Sequence, residues 1–522
     1  MGDQRLRMAD LLAALSVATD LGMGRPPEKA IRSCLLATGL ARALDRPDAQ
    51  VRAVYLASLV RHVGCTATAA LEARIYGGDE LASRRAAEPA DFGDSREMLA
   101  MTFGIGRGAG PRRPFLVAQA VAGDVRHGKT IFRSICDAAS LLAGRLGLGQ
   151  EVQNSLYQQF ERWDGKGAPL GLARDEITLT ARISEVATQA VLAHQAGGPD
   201  AAVAKIDQRA GGWFDPLVAE VFRRHGPGLL REIDAGDPWE AVLAAEPSPV
   251  WHIAASDLDR VARCFADMVD LKSTYTLGHS TEVADLAEGA ARSLGLAERE
   301  VEDLRRAALL HDLGRVGVSS AVWEKAGHLT RGEREQIRLH GYHTERILAC
   351  SRVLEPLGRI AGLHHERLDG SGYHHGVAAP AIGTSARILA AADAFQTATQ
   401  DRPHRPARRP EEAAESLIAE GAAGRLDLDC VRAVVAAAGQ QTTATRMTWP
   451  SGLTDREVEV LRLVARGLSN KEIATRLVIA RRTAEHHVQH VYTKIGCSTR
   501  AGAALFAMEH DLLRGRPGLT MR

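Results

Sequence analysis

The segment Leu309-Leu310-His311-Asp312-Leu313-Gly314 decides the fold, because it places two metal-type ligands side by side at the end of an apolar stretch. Five further side chains of this kind come from other short apolar-patterned segments, and they are His279, His340, His364, His365 and Asp393. Ligands contributed singly or in pairs by several segments are typical of helices that point side chains into one bundle core. The spacing predicts a helical metal-binding domain over residues 255–438.

The composition predicts an all-α protein with several domains. Ala, Leu, Arg and Glu dominate, aromatic residues make up only 4%, and alternating Val, Ile and Tyr runs bounded by Asn-Gly turns are absent from the sequence. At about 100–200 residues per domain, a chain of 522 residues favours three or more domains. Proline-rich and polar stretches at 246–249 and 440–452 indicate linkers, and a similar stretch covers 402–410.

Charge and cysteine content exclude several classes of protein. The 65 Lys and Arg residues nearly balance the 64 Asp and Glu residues, so the net charge of the whole chain indicates no partner. The seven cysteines are scattered and never form a C-x-x-C pair, which argues against a disulfide framework and a zinc ribbon. Because no run of about 18 uncharged apolar residues occurs, we expect a cytoplasmic protein with no membrane partner.

The chain contains an internal repeat. Residues 161–167 (Glu-Arg-Trp-Asp-Gly-Lys-Gly) match residues 366–372 (Glu-Arg-Leu-Asp-Gly-Ser-Gly) at an offset of 205. Further upstream, residues 59–64 match residues 309–314 at an offset of 250. The sequence therefore predicts one helical fold present twice, with the first copy, over residues 1–245, lengthened by an insertion between the two matched blocks.

Carried back through these offsets, the ligand positions of the second copy fall on unsuitable residues in the first copy. In the order from His279 to Asp393, the replacements are Lys29, Arg61, His62, Ile135, Gln159, Phe160 and Thr188. Cationic and apolar side chains do not bind divalent cations, so we expect the first copy to lack metals. It would bind a ligand, dimerise or brace the second copy, and ordinary core packing is the alternative for each residue.

The ligand series, with the segments 311–314 and 364–373, resembles the HD-GYP branch of the HD-domain phosphohydrolases over residues 260–435. The resemblance implies two divalent metal ions, most often iron or manganese, and hydrolysis of a cyclic dinucleotide or a related phosphate ester. It implies that one ion binds His279, His311, Asp312 and Asp393, and that the other binds His340, His364, His365 and a bridging Asp312. A loop would lie over the phosphate or ribose of the substrate, and its residues are Asp369, Gly370, Gly372 and Tyr373.

Two residues depart from the pattern of this family. Arg315 stands where the family has a lysine, and His374 stands where it has a proline. Arg315 can still hold a phosphate bidentately and is assigned with Asp312 to catalysis, but it is a poorer proton donor than lysine. These departures leave open a second interpretation, in which the domain senses metal and nucleotide without turnover. His343, His374 and His375 fall outside the ligand series and are interpreted as surface or loop residues.

The C-terminal residues 450–516 carry a different pattern. Two capping boxes, at 454–457 (Thr-Asp-Arg-Glu) and 469–472 (Ser-Asn-Lys-Glu), predict two helix starts, because each satisfies free amide donors of a first helical turn. Two more helical stretches, at 483–495 and 501–508, follow after short turns. The spacing predicts a small four-helix domain with a helix-turn-helix layout.

The motifs 453–461 and 467–474, followed by Thr483 and His487, resemble the LuxR-type DNA-binding domain. Residues 450–522 contain twelve Lys or Arg and seven Asp or Glu, a net charge of +5 that suits contact with phosphates. The resemblance implies that double-stranded DNA is bound by Ser469, Asn470, Lys471, Arg481, Arg482, Thr483, Glu485, His486, Gln489 and Lys494.

Together these patterns predict a transcriptional regulator that acts as a homodimer. It would consist of two tandem HD-type helical bundles, of which the second binds metal and a nucleotide or phosphate ester, and a LuxR-type tail. Nucleotide occupancy or turnover within residues 260–435 would change the spacing of two recognition helices. Two alternatives stay open: a second bundle that is a non-catalytic sensor, and a tail that docks to a protein instead of DNA.

Overall fold

The computed structural model describes residues 5–94, 96–98, 101, 113–440 and 449–513. Within these ranges, paired strands are limited to β1 (Leu6–Arg7) and β2 (His252–Ile253), which are antiparallel. Helices account for most of the remainder, so the prediction of an all-α fold is confirmed. In the same ranges, no helix combines the length and the apolar character needed to cross a lipid bilayer.

The described residues divide into two compact units, one formed by the residues up to Leu258 with Ser319–Ala321 and one formed by the others. The first unit contains the first copy of the repeat, and its core is built from residues such as Leu40, Val186 and Phe222. Its helices are α1 (Met8–Gly22), α2 (Lys29–Ala43), α3 (Asp48–Leu59), α4 (Ala69–Ile75), α5 (Glu80–Ala87), α6 (Arg113–Arg145), α7 (Gln150–Tyr157), α8 (Leu179–Arg209), α9 (Pro216–Ala235) and α10 (Pro238–Ala244).

The second unit contains most of the second copy, in which α12 packs against α13, α17 and α19. The helices of this copy are α11 (Leu258–Asp270), α12 (His279–Ser293), α13 (Glu298–Leu310), α14 (Ser320–Trp323), α15 (Arg331–Leu348), α16 (Glu355–Ala361), α17 (Thr384–Thr399), α18 (Pro410–Ala422) and α19 (Leu428–Gln440). A short 3-10 turn, Leu313–Gly317, follows the His311-Asp312 pair.

Corresponding helices of the two copies begin at matching positions. Helix α2 begins at Lys29 after Glu28, whose φ is +76°, and α12 begins 250 residues later at His279 after Gly278, whose φ is +74°. Left-handed backbone is uncommon for a residue other than glycine, so its presence at Glu28 indicates that the helix start is set by the fold. The predicted offset of 250 is therefore confirmed at a ligand position.

The turn after α3 and the turn after α13 are also equivalent. Gly64 lies so close to the carbonyl of Ile135 that a side chain would not fit, and Gly314 lies in the same way against the carbonyl of His340. Each bundle thus needs a residue without Cβ where the turn crosses the next long helix. The contact also places Ile135 at the position of His340, as the offset of 205 predicts.

The C-terminal helices are α20 (Asp455–Ala465), α21 (Asn470–Leu477), α22 (Arg481–Ile495) and α23 (Arg500–Glu509). Both predicted capping boxes are present, since Glu457 accepts from the amide of Thr454 at 2.8 Å and Glu472 accepts from the amide of Ser469 at 2.7 Å. Gly467, with φ +81°, lies just beyond the end of α20. The predicted helix-turn-helix layout is confirmed.

Candidate metal centre

The seven side chains predicted as metal ligands lie together in the second copy. They come from five places: His279 opens α12, His311 and Asp312 follow α13, His340 lies within α15, His364 and His365 follow α16, and Asp393 lies within α17. All are buried except His365, which is partly exposed. Because α12 packs against α13 and α17, ligands more than a hundred residues apart in sequence meet at one point.

Asp312 lies in the middle of this group. Its Oδ2 atom is 3.3 Å from Nε2 of His279 and 3.5 Å from Nε2 of His311. Its Oδ1 atom is 3.4 Å from Nε2 of His340 and 3.9 Å from Nε2 of His364. The two oxygens of one carboxylate therefore face different pairs of imidazoles, which is what a carboxylate shared by two cations requires.

Asp393 also reaches both halves of the group. Its Oδ1 atom is 3.3 Å from Nε2 of His279 and 3.8 Å from Nε2 of His311. Its Oδ2 atom is 3.8 Å from Nδ1 of His365. The resemblance assigned Asp393 only to the cation held by His279 and His311, and the geometry adds His365 as a second neighbour.

Backbone carbonyls orient three of the imidazoles. Nδ1 of His311 and Nδ1 of His364 donate to carbonyl oxygens three residues earlier, at 2.7 and 2.6 Å, and His340 does the same. A carbonyl only accepts, so Nδ1 carries the proton and the Nε2 lone pair faces Asp312. Nε2 of His311 is buried without a hydrogen-bond partner among the described residues. An orphaned, inward-facing acceptor of this kind fits a metal ligand.

Burial and charge set the protonation of the group. Burial lowers the pKa of His340 and the pKa of His364 to about 4, so both imidazoles are neutral near pH 7. Burial alone would raise the pKa of Asp312, but the positive charge of Arg315 and the hydrogen bond from His279 outweigh it and hold that pKa well below its usual value. Neutral imidazoles beside ionised carboxylates are the donors that a divalent cation needs.

His279 differs from the other imidazoles. Burial alone would lower its pKa, but hydrogen bonds to Asp312 and Asp393 raise the pKa to about 9. The resulting imidazolium offsets part of the charge of the two carboxylates, which a bound cation would otherwise do. A cation that binds here would therefore displace the proton of His279. The neutral imidazoles and ionised carboxylates of this set fit a divalent cation.

Two protein-family models match parts of this chain. A family model described as HD domain matches residues 94–218 and 263–429, together more than half of the chain. The chain belongs to the HD-domain family. A second model, described as bacterial regulatory proteins of the luxR family, matches residues 451–507. Both family predictions are confirmed, and the two HD matches agree with a fold that is present twice.

Several characterised proteins are similar to this HD-domain chain. The 3′3′-cGAMP-specific phosphodiesterase 3 of Vibrio cholerae is 29% identical over 432 residues, which are 82% of this chain and 94% of that protein. A cyclic di-GMP phosphodiesterase response regulator of Xanthomonas campestris is 34% identical over 199 residues, which are 38% of this chain and 51% of that protein. A crystal structure of a cyclic GMP-AMP-specific phosphodiesterase of V. cholerae covers 84% of this chain and 98% of its own, with a TM-score of 0.58 and 24% identity, and supports the fold alone.

Arg315, which the sequence analysis placed in the site, directly contacts Asp312, one of the seven candidate ligands that are together called the metal group below. Its Nη1 atom donates to Oδ2 of Asp312 at 2.6 Å. The centre of its guanidinium lies 4.0 Å from the centroid of the Trp323 ring. Stacking on an indole fixes the plane of the guanidinium, so that its remaining N–H donors keep one orientation.

Arg402 is a further candidate of the HD domain, which the sequence analysis missed. Its guanidinium donates to the carbonyl of Tyr275 at 3.0 Å and to Oγ1 of Thr397 at 3.2 Å. Burial and the nearby charge of Arg315 lower the pKa of Arg402 to about 10. The negative charges of Asp393 and Asp312 oppose this shift. Arg402 thus stays cationic near pH 7 and lies within electrostatic range of the metal group.

Of the four predicted loop residues, Tyr373 is the one that reaches the metal group of the HD domain. The centroid of its ring lies 4.7 Å from that of His365 and 6.4 Å from that of His340. Asp369 instead faces its own loop, where Oδ1 accepts from the amide and the hydroxyl of Ser371 at 3.0 and 2.6 Å. The role of Asp369 that the geometry supports is to shape the loop.

The two predicted glycines also shape this loop. Gly370 has φ +77°, and a side chain at Gly372 would collide with the backbone of Glu366 and Arg367. In the first HD copy, a side chain at Gly167 would collide with the equivalent backbone of Glu161 and Arg162. The same tight loop is therefore present in both copies, whether or not metal ligands accompany it.

Ion pairs occupy the ligand positions of the first HD copy. Nζ of Lys29 is 2.7 Å from Nε2 of His62 and 2.6 Å from Oε1 of Glu88, and all three side chains are buried. Arg61 forms a buried ion pair with Glu185. Among the described residues, the three groups of side chains able to hold a metal ion all lie in the second copy. The loss of metal binding in the first copy stays a prediction.

Helix α22 of the luxR-family domain presents most of the residues predicted to contact DNA. Of all the residues predicted to contact DNA, on α22 or before it, only Asn470 is partly buried. The exposed residues are Ser469, Lys471, Arg481, Arg482, Thr483, Glu485, His486, Gln489 and Lys494. Two of them have structural partners: Lys494 donates to Glu457 at 2.7 Å and to the carbonyl of Gly452 at 2.9 Å, and Ser469 caps α21. DNA contact by each of these residues stays a prediction.

Proposed function

We propose that the second HD copy is a metal-dependent phosphodiesterase that cleaves a cyclic dinucleotide, in a chain that also binds DNA. One observation supports this most strongly: the lone pairs of buried, neutral imidazoles face the two oxygens of the ionised Asp312. The substrate class comes from the relatives, which are phosphodiesterases of 3′3′-cGAMP and of cyclic di-GMP.

In this proposal the cofactors are two divalent cations, iron or manganese. One would be held by His279, His311, Asp312 and Asp393, and the other by His340, His364, His365 and Asp312. When bound, the cations would lower the pKa of a water molecule and neutralise charge on the phosphoryl oxygens. The carbonyl partners of the imidazoles keep these ligands oriented before any cation arrives, and the ring of Tyr373 covers the group on the side of His365.

Arg315 and Arg402 bring two fixed positive charges to the same pocket. We infer that they bind the phosphate of the substrate, because each guanidinium is held in place by a neighbour and keeps further N–H donors. An arginine does not release a proton near pH 7, so Arg315 would stabilise charge and would not serve as a general acid.

Arg402→Ala is expected to lower kcat/KM by about 10²-fold, because it removes a preorganised donor from a buried site. Arg402→Lys should recover part of this loss, since it restores the charge without the planar fork. The measurement is initial-rate kinetics on the reconstituted full chain. Arg359→Ala is the matched control, because Arg359 is an exposed arginine on α16 that pairs only with Glu355 among the described residues; equal losses in both variants would contradict the assignment.

The decisive test is hydrolysis by the purified full chain. It would be reconstituted without oxygen with Fe²⁺ or Mn²⁺ and given cyclic di-GMP, 3′3′-cGAMP and a generic phosphodiester. We expect a linear dinucleotide as the product of at least one cyclic substrate. Binding without turnover under every condition would instead support a nucleotide sensor, an alternative favoured by Arg315 at the position of the family's lysine.

We further propose that the luxR-family domain binds double-stranded DNA as a homodimer. Exposed Arg481 and Arg482 open α22, where side chains and the positive helix end can reach phosphates. Replacing both by alanine should lower the magnitude of the slope of log K against log salt by about 1.8, since each phosphate contact contributes about 0.9. Fluorescence anisotropy on the upstream region of its own gene measures this slope.

Arg432→Ala on α19 is the control for this experiment, since Arg432 is also exposed but lies outside the C-terminal domain. Its slope should match that of the unchanged protein. If the unchanged protein shows no salt-dependent binding to any duplex, the proposal of DNA binding fails and the alternative of a protein-docking tail gains support.

A further inference from the structure

We propose that Glu345, His374 and His375 form an additional metal site that binds Zn²⁺ and fastens the loop 369–376 to α15. These three residues, called the loop histidine cluster below, take no part in the metal group around Asp312. The inference goes beyond the proposed function and does not depend on hydrolysis. It assigns a role to two histidines that the sequence analysis interpreted as surface or loop residues.

The geometry of the loop histidine cluster is that of a partly assembled ligand set. Nε2 of His374 is 3.0 Å from Oε2 of Glu345, and Nε2 of His375 is 2.8 Å from the same oxygen. The two rings lie side by side with centroids 4.0 Å apart. Two imidazole nitrogens and one carboxylate oxygen thus converge from two elements that are about thirty residues apart in sequence.

Two glycines leave room for this convergence. A side chain at Gly341, one turn before Glu345 on α15, would place its Cβ 3.2 Å from Nδ1 of His374. A side chain at Gly362 would place its Cβ 3.1 Å from Oε2 of Glu345. Both contacts are tighter than ordinary packing allows, so larger residues would push the cluster apart. The space around the three side chains therefore depends on both glycines.

The donor types select the metal. Two histidines and one glutamate are a set that Zn²⁺ accepts, with bonds of about 2.0–2.2 Å and a fourth position left for water. The two N···O distances of 3.0 and 2.8 Å are close to the spacing of about 3.3 Å between ligand atoms around a tetrahedral zinc, so a small outward shift of the Glu345 carboxylate would bring them to that spacing. Glu345 and His375 are partly exposed, which allows that shift and gives the ion a path from solvent.

Zinc at this position would act on the substrate loop. His374 follows Tyr373, whose ring lies beside His365 of the metal group, and Glu345 lies on the same helix as His340. An ion held by both elements would fix the loop against the helix that carries a catalytic-site ligand. His374 stands where the resembled family has a proline, so the loop histidine cluster is a feature of this chain and not of the family pattern.

Zinc stoichiometry of the full chain tests the proposal. Equilibrium dialysis followed by elemental analysis would compare the unchanged protein with Glu345→Gln, His375→Gln and the control His343→Gln. His343 lies on the same helix but outside the cluster. We expect one zinc ion fewer in Glu345→Gln and His375→Gln and an unchanged number in His343→Gln. The same difference of one ion should persist in a background that carries Asp312→Asn and Asp393→Asn.

Equal zinc numbers in all variants, or an equal loss in His343→Gln, would overturn the proposal. Hydrogen exchange supplies a second measurement, because free Zn²⁺ at about 100 times its Kd should lower the opening equilibrium of residues 369–376 about 100-fold. His375→Gln, with a side chain 41% exposed, should fold and lose this protection. Because neither measurement uses turnover, failure of the zinc site and failure of the phosphodiesterase proposal are distinguishable.

Discussion

Replacing Asp312 by asparagine is expected to abolish cleavage of cyclic dinucleotides, with a loss of about 10³-fold or more, and to lower the iron or manganese content. The reason is its central position, since Oδ1 and Oδ2 face different imidazoles at 3.3–3.9 Å. Asparagine keeps one oxygen but removes the negative charge that two cations would share. Loss of the cations would remove several kcal/mol of stabilisation from the transition state of hydrolysis. Initial rates and elemental analysis on one reconstituted sample measure both effects.

Asp303→Asn provides the matched control for this substitution. Asp303 lies on α13, the helix that leads into the His311-Asp312 pair, but its carboxylate is partly exposed. Within the described part of the chain, its ion pairs are with Arg299 and Arg306, at 4.0 and 3.9 Å. Metal content and rate should be unchanged in this variant. An Asp312→Asn protein that keeps both ions and more than a tenth of its activity would show that this carboxylate does not bridge two cations.

The metal group could be predicted from the sequence because its members are chemically unusual. A buried His or Asp at the end of an apolar segment is costly unless it is paired or binds a cation, so seven of them in one domain indicate one shared pocket. The repeat could be predicted for a different reason, because matching segments recur at fixed offsets, and the helix start at Lys29 corresponds to that at His279. The capping boxes of α20 and α21 were predictable because they depend on residues only three positions apart.

Contacts between distant segments could not be predicted in this way. Arg402 lies in a proline-rich stretch, and only the fold brings its charge near Asp393. The partner of His374 and His375 is Glu345, about thirty residues earlier on a helix whose local pattern gives no sign of a ligand. Lys494 was predicted as a DNA contact from the resemblance to the LuxR-type domain, whereas the structure also gives it a carboxylate partner, Glu457.

The first HD copy yields the other large predicted effect. Lys29→Met is expected to lower the free energy of unfolding of this copy by about 3–5 kcal/mol, the usual consequence of removing one partner of a buried ion pair. Methionine has a similar length, so no large cavity forms, but Glu88 and His62 lose the ammonium that lies 2.6 and 2.7 Å from them. Hydrogen exchange of α2 and α3 in the full chain measures the loss without requiring a two-state transition.

Arg25→Met is the control, because Arg25 binds the other oxygen of Glu88 at 2.7 Å but is itself 15% exposed. This variant should lower the free energy of unfolding by about 1 kcal/mol, as for ion pairs that stay in contact with water. Equal losses of unfolding free energy in Arg25→Met and Lys29→Met would show that the buried Lys29 ammonium stabilises the fold no more than the partly exposed Arg25 does. The ion pairs would then be ordinary packing and not a replacement for the cations that we propose for the second copy.

The effect of Lys29→Met should also depend on pH. Burial alone would raise the pKa of Glu88, but the charge of Lys29 and a hydrogen bond with His62 outweigh it and hold that pKa well below 4.5. The depressed pKa means that Glu88 stabilises the fold above about pH 4.5 and that this contribution is lost as the pH falls through its folded value. Without Lys29 the pKa rises, so the difference between the two proteins should be largest near pH 7 and should narrow below pH 4.5. A difference that is constant from pH 4 to 8 would mean that lost packing, and not lost charge, destabilises the variant.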